Sequence, residues 1–236
     1  MTDFVLVHGA WHGAWCWNRI LPRLWRSGHR AFAVSLTGVG ERAHLLSGDI
    51  GLQTHINDVM AVIEAEELRH AVLVGHSYAG MVITGVADQL SDASRLNRLI
   101  YLDAMVPEPG ESWSSGHSAE TKAARRADIA RDGTIPPPPP AVYGLTGEDA
   151  DWVARRQTPH PGGMYDETLQ FDPLRVTRWP RHFIDCTQPA LPTIAASKKR
   201  VRETPGWRIT EISSGHDPMI SAPDALMSAL LVVNQI

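Results

Sequence analysis

Cysteine is nearly missing from this 236-residue chain, which has only Cys16 and Cys186. Two thiols cannot build a disulfide framework, and no C-x-x-C or Cys/His cluster stands at zinc-ligand spacing, so a stapled secreted scaffold and a structural zinc site are both unexpected. A surplus of positive charge is also lacking. The 22 Lys+Arg against 26 Asp+Glu give a formal net charge of -4, which offers a polyanion no electrostatic footprint and argues against a nucleic-acid partner. No apolar run is long enough to span a bilayer. The segment Met1 to His8 has no basic region followed by a long apolar one, so the expectation is a soluble cytoplasmic protein with no membrane partner.

What is present suits a globular fold: 43% hydrophobic residues against 20% charged ones can fill a sizeable core, in one domain or one domain carrying an insertion. Short β-branched runs alternate with longer amphipathic stretches. Phe4 to His8, Ala31 to Ser35, Ala71 to Gly75, Leu99 to Asp103, His182 to Cys186 and Arg208 to Ile212 read as strands. Trp17 to Arg26, Thr54 to Glu66, Tyr78 to Leu90, Leu191 to Arg202 and Pro223 to Val233 read as helices. This alternation predicts an α/β protein with a doubly wound, mostly parallel sheet.

Residues 107–180 break the rhythm, with no apolar strand run and a shift toward Pro, Gly, Arg and Asp. The expected division is a core of residues 1–106 and 181–236, with 107–180 as an inserted lid above the carboxyl ends of the strands. Helical stretches near Ala119 to Arg131 and Gly147 to Gln157 flank a proline run, Pro136 to Pro140, which reads as a stiff loop rather than a docking peptide. Trp113, Trp152 and Trp179 supply bulky apolar surface there.

Chemistry concentrates in Ala71-Val72-Leu73-Val74-Gly75-His76-Ser77-Tyr78-Ala79-Gly80, where an apolar strand runs through G-x-S-x-A-G into a helix. A serine on such a tight turn needs small flanking residues, and Gly75 and Ala79 meet that demand, so Ser77 is the expected nucleophile. It needs a base. Of 11 histidines, His216 stands in a Gly-marked loop between the last strand and the last helix, the place for a general base. His29, His44, His55, His70, His117, His160 and His182 read as surface or satisfied structural residues, and His8, His12 and His76 as braces that donate to backbone carbonyls. The small-residue loop after the first strand suggests the Ala10 amide as one oxyanion donor and the Tyr78 amide as the other.

Together Phe4 to Ala10, Trp15 to Trp17, Leu36 to Arg42, the Ser77 turn, Tyr101 to Ala104 and Gly215 to Asp217 resemble the α/β-hydrolase superfamily. Within it the chain is similar to the small branch of plant methyl-ester esterases, hydroxynitrile lyases and bacterial esterase relatives. The resemblance implies cofactor-free, metal-free hydrolysis of a small-molecule ester under a helical lid. The lyases usually carry threonine and lysine where this chain has Gly9 and Asp217, which ranks cyanohydrin cleavage below ester hydrolysis. The family's usual acid, just after the penultimate strand, is also missing: the stretch reads Cys186-Thr187-Gln188-Pro189-Ala190. Asp103, at the end of the strand after the nucleophile, is the favoured replacement; Asp185, Asp217 and a Ser-His pair with no acid are the alternatives.

The expected reaction is acyl transfer through an acyl-enzyme, in a mostly apolar pocket that takes an uncharged aromatic or alkyl ester. Amide or carbamate hydrolysis, a ligand-binding receptor, and a cofactor-free lyase or oxygenase are the competing readings. Monomer and homodimer both stay open.

Overall fold

The computed structural model describes residues 1–234. In chain order its elements are β1 (Asp3–Val7), α1 (Leu21–Arg26), β2 (Arg30–Val34), α2 (Leu52–Ala65), β3 (Ala71–His76), α3 (Ala79–Gln89) and β4 (Leu96–Leu102). There follow α4 (Ala119–Asp132), β5 (Thr134–Ile135), α5 (Gly147–Ala154), β6 (His160–Pro161), α6 (Pro173–Thr177), β7 (Arg181–Cys186), α7 (Ala195–Glu203), β8 (Trp207–Ile212), α8 (Pro218–Ser221) and α9 (Pro223–Asn234).

Six strands form one parallel sheet in the order β2-β1-β3-β4-β7-β8, the doubly wound architecture that the alternating pattern predicts. Successive residues of a strand point to opposite faces, and both faces here are apolar. Phe4, Leu6, Val72 and Val74 pack with Leu24 of α1 and Leu226 and Leu230 of α9. Val5, Val7 and Leu73 pack on the other side with Ile56 and Val59 of α2 and Val82 and Val86 of α3. The chain leaves β1 to one side for β2 and returns on the other for β3, so the carboxyl ends of β1 and β3 flank the crevice where the order reverses.

Boundaries differ from the sequence reading where proline intervenes. The first helix is split into a 3-10 turn, Ala14–Trp17, and α1, because Pro22 lacks an N–H and fits only a first turn. Pro192 likewise opens a 3-10 turn, Pro192–Ile194, ahead of α7. The segment 107–180, expected to hold no strand, contains the short antiparallel pair β5 and β6. Two-residue strands carry no periodicity that a sequence could reveal. Hydrogen bonds tie this segment to Trp11 and His216. Trp11 Nε1 donates to the Ile135 carbonyl at 2.9 Å, Thr158 N to the Trp11 carbonyl at 3.1 Å, and His216 N to the Tyr143 carbonyl at 2.9 Å.

Candidate active site

Ser77 follows β3 directly and has φ of 56°, a left-handed conformation that costs a non-glycine residue about 1–3 kcal/mol and persists only where the surroundings enforce it. Its amide donates to Leu102 O at 3.2 Å, and its carbonyl accepts from Gly80 N at 3.1 Å and Met105 N at 3.0 Å. Close packing explains the small neighbours. A Cβ at Gly75 would lie 2.7 Å from Ala79 O, and one at Gly80 would lie 1.9 Å from Met105 O.

The structure brings His216 and Asp103 to this serine from two distant parts of the chain. His216 Nε2 lies 2.9 Å from Ser77 Oγ, and its Nδ1 lies 2.6 Å from Asp103 Oδ2. A carboxylate only accepts, so Nδ1 carries the proton and Nε2 is left to accept from the Ser77 hydroxyl. Asp103 is fully buried just past β4, with φ of 41°. Burial alone would raise its pKa; the hydrogen bond and charge of His216, joined by Lys198, outweigh it and hold the carboxyl below its ordinary value. The two alternative acids are engaged elsewhere. Asp185 pairs with Lys198 at 2.7 Å and Arg202 at 2.6 Å, and Asp217 Oδ2 accepts from His12 Nε2 at 3.0 Å.

Ala10 and Tyr78 line the same cavity of about 110 Å3 as Ser77 and His216. Tyr78 caps the N-terminus of α3, where helix dipole and free amides favour negative charge.

The bracing histidines sit as their loops require. Leu36 N donates to His8 Nε2 at 3.1 Å, so His8 donates from Nδ1 to Gly9 O at 2.7 Å, and burial brings its pKa down to about 3. His76 donates from Nε2 to the His216 carbonyl at 2.9 Å; burial and the nearby His216 bring it to about 3. His12 differs. Its Nδ1 donates to Ala10 O at 2.8 Å and its Nε2 to Asp217, so both nitrogens carry protons; burial disfavours that cation, but Asp217 more than offsets it and raises the pKa.

Two histidines read from sequence as structural lie at the site. His117 lines the cavity, with Nδ1 2.8 Å from Tyr165 Oη; burial, then Arg125 and Lys122, bring its pKa to about 4. His160 is buried among Trp11, His55, Tyr78 and Trp113, and its Nδ1 accepts from Trp11 N at 3.3 Å. The sequence does not single out Lys198, Tyr143 or Arg125 either. Arg125 gives the largely apolar lining a fixed charge: its guanidinium sits 5.1 Å from the Trp11 ring centre and donates to Pro136 O at 2.9 Å.

Among the described residues one group, His76, His216 and Asp217, has potential metal-ligand atoms within 4.8 Å of one another. Hydrogen bonds already engage both His216 nitrogens, His76 Nε2 and Asp217 Oδ2, so using them for an ion would dismantle the Ser77–His216–Asp103 chain.

The model of the alpha/beta hydrolase family matches residues 4–229. The chain belongs to that family. It is 39% identical, over 98% of each chain, to a carbendazim hydrolyzing esterase of Nocardioides sp. (strain SG-4G). It is 32% identical to a pheophorbidase of Raphanus sativus, over 51% of this chain and 46% of that protein. An extracellular alpha/beta-hydrolase from a Paenibacillus species superposes with a TM-score of 0.82 at 22% identity, over 99% of this chain and 98% of the other. The structural likeness bears on the fold. The relatives' names agree with the expectation of an enzyme that hydrolyses carboxylic esters.

Proposed function

We propose that this carboxylic ester hydrolase works as a serine esterase through an acyl-enzyme. The observation that carries the reading is the unbroken hydrogen-bond chain from Ser77 Oγ through His216 to Asp103. His216 takes the hydroxyl proton as Ser77 attacks the carbonyl, the amides of Ala10 and Tyr78 stabilise the oxyanion, and His216 then protonates the departing alcohol. Water repeats the sequence to release the acid. Asp103 holds the productive tautomer and stabilises the transient imidazolium.

The substrate we propose is a small, flat ester without formal charge, suited to a cavity lined by Trp11, Trp113, Met105 and Ile194. Carbamic esters belong to that class, and the name of the 39% identical relative makes carbendazim the first compound to assay. Residues 107–180 act as its lid in this reading, supported by their hydrogen bonds to Trp11 and His216. The purified protein and Ser77→Ala are to be compared on nitrophenyl acetate and carbendazim, with a fluorophosphonate label located by mass spectrometry. The expected result is a loss of turnover on the order of 10^4-fold or more and labelling at Ser77 only. Equal turnover in the two proteins would overturn it.

A further inference from the structure

Outside the reacting groups, Lys198 on α7 holds its charge close to the site. Its ammonium lies 2.8 Å from Asp103 Oδ1, 2.7 Å from Asp185 Oδ1 and 2.6 Å from the Cys186 carbonyl. An ammonium has three N–H donors and no acceptor. Here one N–H donates to the Cys186 carbonyl while the charge pairs with both carboxylates, on a side chain only 12% exposed. The three oxygens come from the ends of β4 and β7, so one compact charge joins two neighbouring strands.

We propose that Lys198 is a positioning residue for the esterase reaction: it fixes Oδ1 of Asp103 so that Oδ2 faces His216, and its charge offsets the carboxylates beside the imidazole. The inference rests on the serine-esterase reading. Its geometry is specific. Asp103 divides its oxygens, Oδ2 to His216 and Oδ1 to Lys198, and Cys186 N adds a donor to Oδ1 at 3.4 Å. Without the ammonium, Asp103 could rotate, and the two buried carboxylates would lose the cation they share. Arg202, one turn further along α7, pairs with Asp185 Oδ2 and Glu211, so it steadies Asp185 but does not reach Asp103.

The electrostatic sign follows from everything that faces His216. Asp103 approaches from the end of β4; His76 comes from β3, with ring centres 4.6 Å apart; Tyr143 comes from the inserted segment at 5.8 Å. In its own loop Asp217 is balanced by the His12 imidazolium. Ser77 is neutral. The remaining charges are three acids, Asp103, Asp185 and Glu211, against two cations, Lys198 and Arg202. Deleting Lys198 leaves more negative charge by the imidazole, favours its protonated form, and moves the acid limb of activity to higher pH.

The test is kcat, KM and the pH profile of kcat/KM for the intact protein, Lys198→Met, Lys198→Arg, Asp185→Asn, the Lys198→Met/Asp185→Asn pair and Ser77→Ala, on one nitrophenyl ester. Lys198→Met is expected to lower kcat about tenfold or more with KM little changed, because Lys198 does not line the cavity, and to raise the acid-limb midpoint by about one pH unit. Lys198→Arg keeps the charge and returns the midpoint; the double variant, which removes one charge of each sign, returns it as well while kcat stays low. Asp185→Asn moves the midpoint down, and that sign keeps the inference testable even if Lys198→Met does not fold. Parental kcat and midpoint in folded Lys198→Met, or no shift in Asp185→Asn and the parental kcat in Lys198→Arg when Lys198→Met is unfolded, would overturn the inference. If Ser77→Ala retains turnover, the underlying serine-esterase reading has failed instead.

Discussion

Asp217 follows His216 directly in the chain, yet its carboxylate belongs to His12, whose Nε2 donates to Asp217 Oδ2 at 3.0 Å. His12 in turn holds the Ala10 carbonyl, so a buried ion pair joins the loop after β1 to the loop after β8. Two walls of the site are thereby fixed relative to each other.

This pair gives stability a defined pH window. Burial opposes ionisation of Asp217, but His12, then His76 and His216, hold its pKa at about 2 against an ordinary 3.8, so its contribution is present above the ordinary value and is lost as pH falls toward 2. His12 is raised above its ordinary 6.5, so its contribution is complete below that value and is lost as pH rises through the folded-state pKa. The pair therefore stabilises most between pH 3.8 and 6.5. Asp217→Asn should cost about 3 kcal/mol at pH 6, by leaving a buried charge unmatched, and should reduce the decline in Tm between pH 6 and pH 9. Calorimetry of both proteins at the two pH values checks this.

Asp103→Asn should lower kcat by roughly 10^4-fold with the fold preserved, because an amide donor facing His216 Nδ1 favours the wrong tautomer. Single-turnover kinetics and circular dichroism together measure it. Turnover within about threefold of the parent would assign the acid role elsewhere.

Gly9 touches the nucleophile's turn: a Cβ there would lie 2.9 Å from Ser77 Cβ and 2.9 Å from His76 Nδ1. Ser77 Cβ cannot give way without moving the reactive hydroxyl it carries. Gly9→Ala should thus lower kcat by about tenfold or more, since displacement of a reacting atom by a fraction of an ångström is costly. Gly48→Ala, with nothing within 4 Å of the added carbon, is the control and should leave kcat unchanged.

Much of the site is legible in the amino-acid sequence. The strand Ala71–His76 running into Ser77 and α3 is a local pattern, and His216 is marked by Gly215 in a loop between strand and helix. Lys198 is invisible at that level because its meaning depends on Asp103 and Asp185, 95 and 13 residues away in the chain. His117 and His160 carry no signal for the same reason: their partners, Tyr165 for the first and Tyr78 and Trp113 for the second, are distant in the chain.

The sequence by itself determined the alternation of strands and helices, the small residues at the serine turn, and the pairing of that turn with a late histidine, because backbone sterics and hydrophobic period act over a few neighbouring residues. The tertiary structure decided which carboxylate meets His216, which cation holds that carboxylate, and which aromatic rings line the cavity. These are contacts between segments far apart in the chain, and parallel strand order sets them through distances that no local pattern encodes.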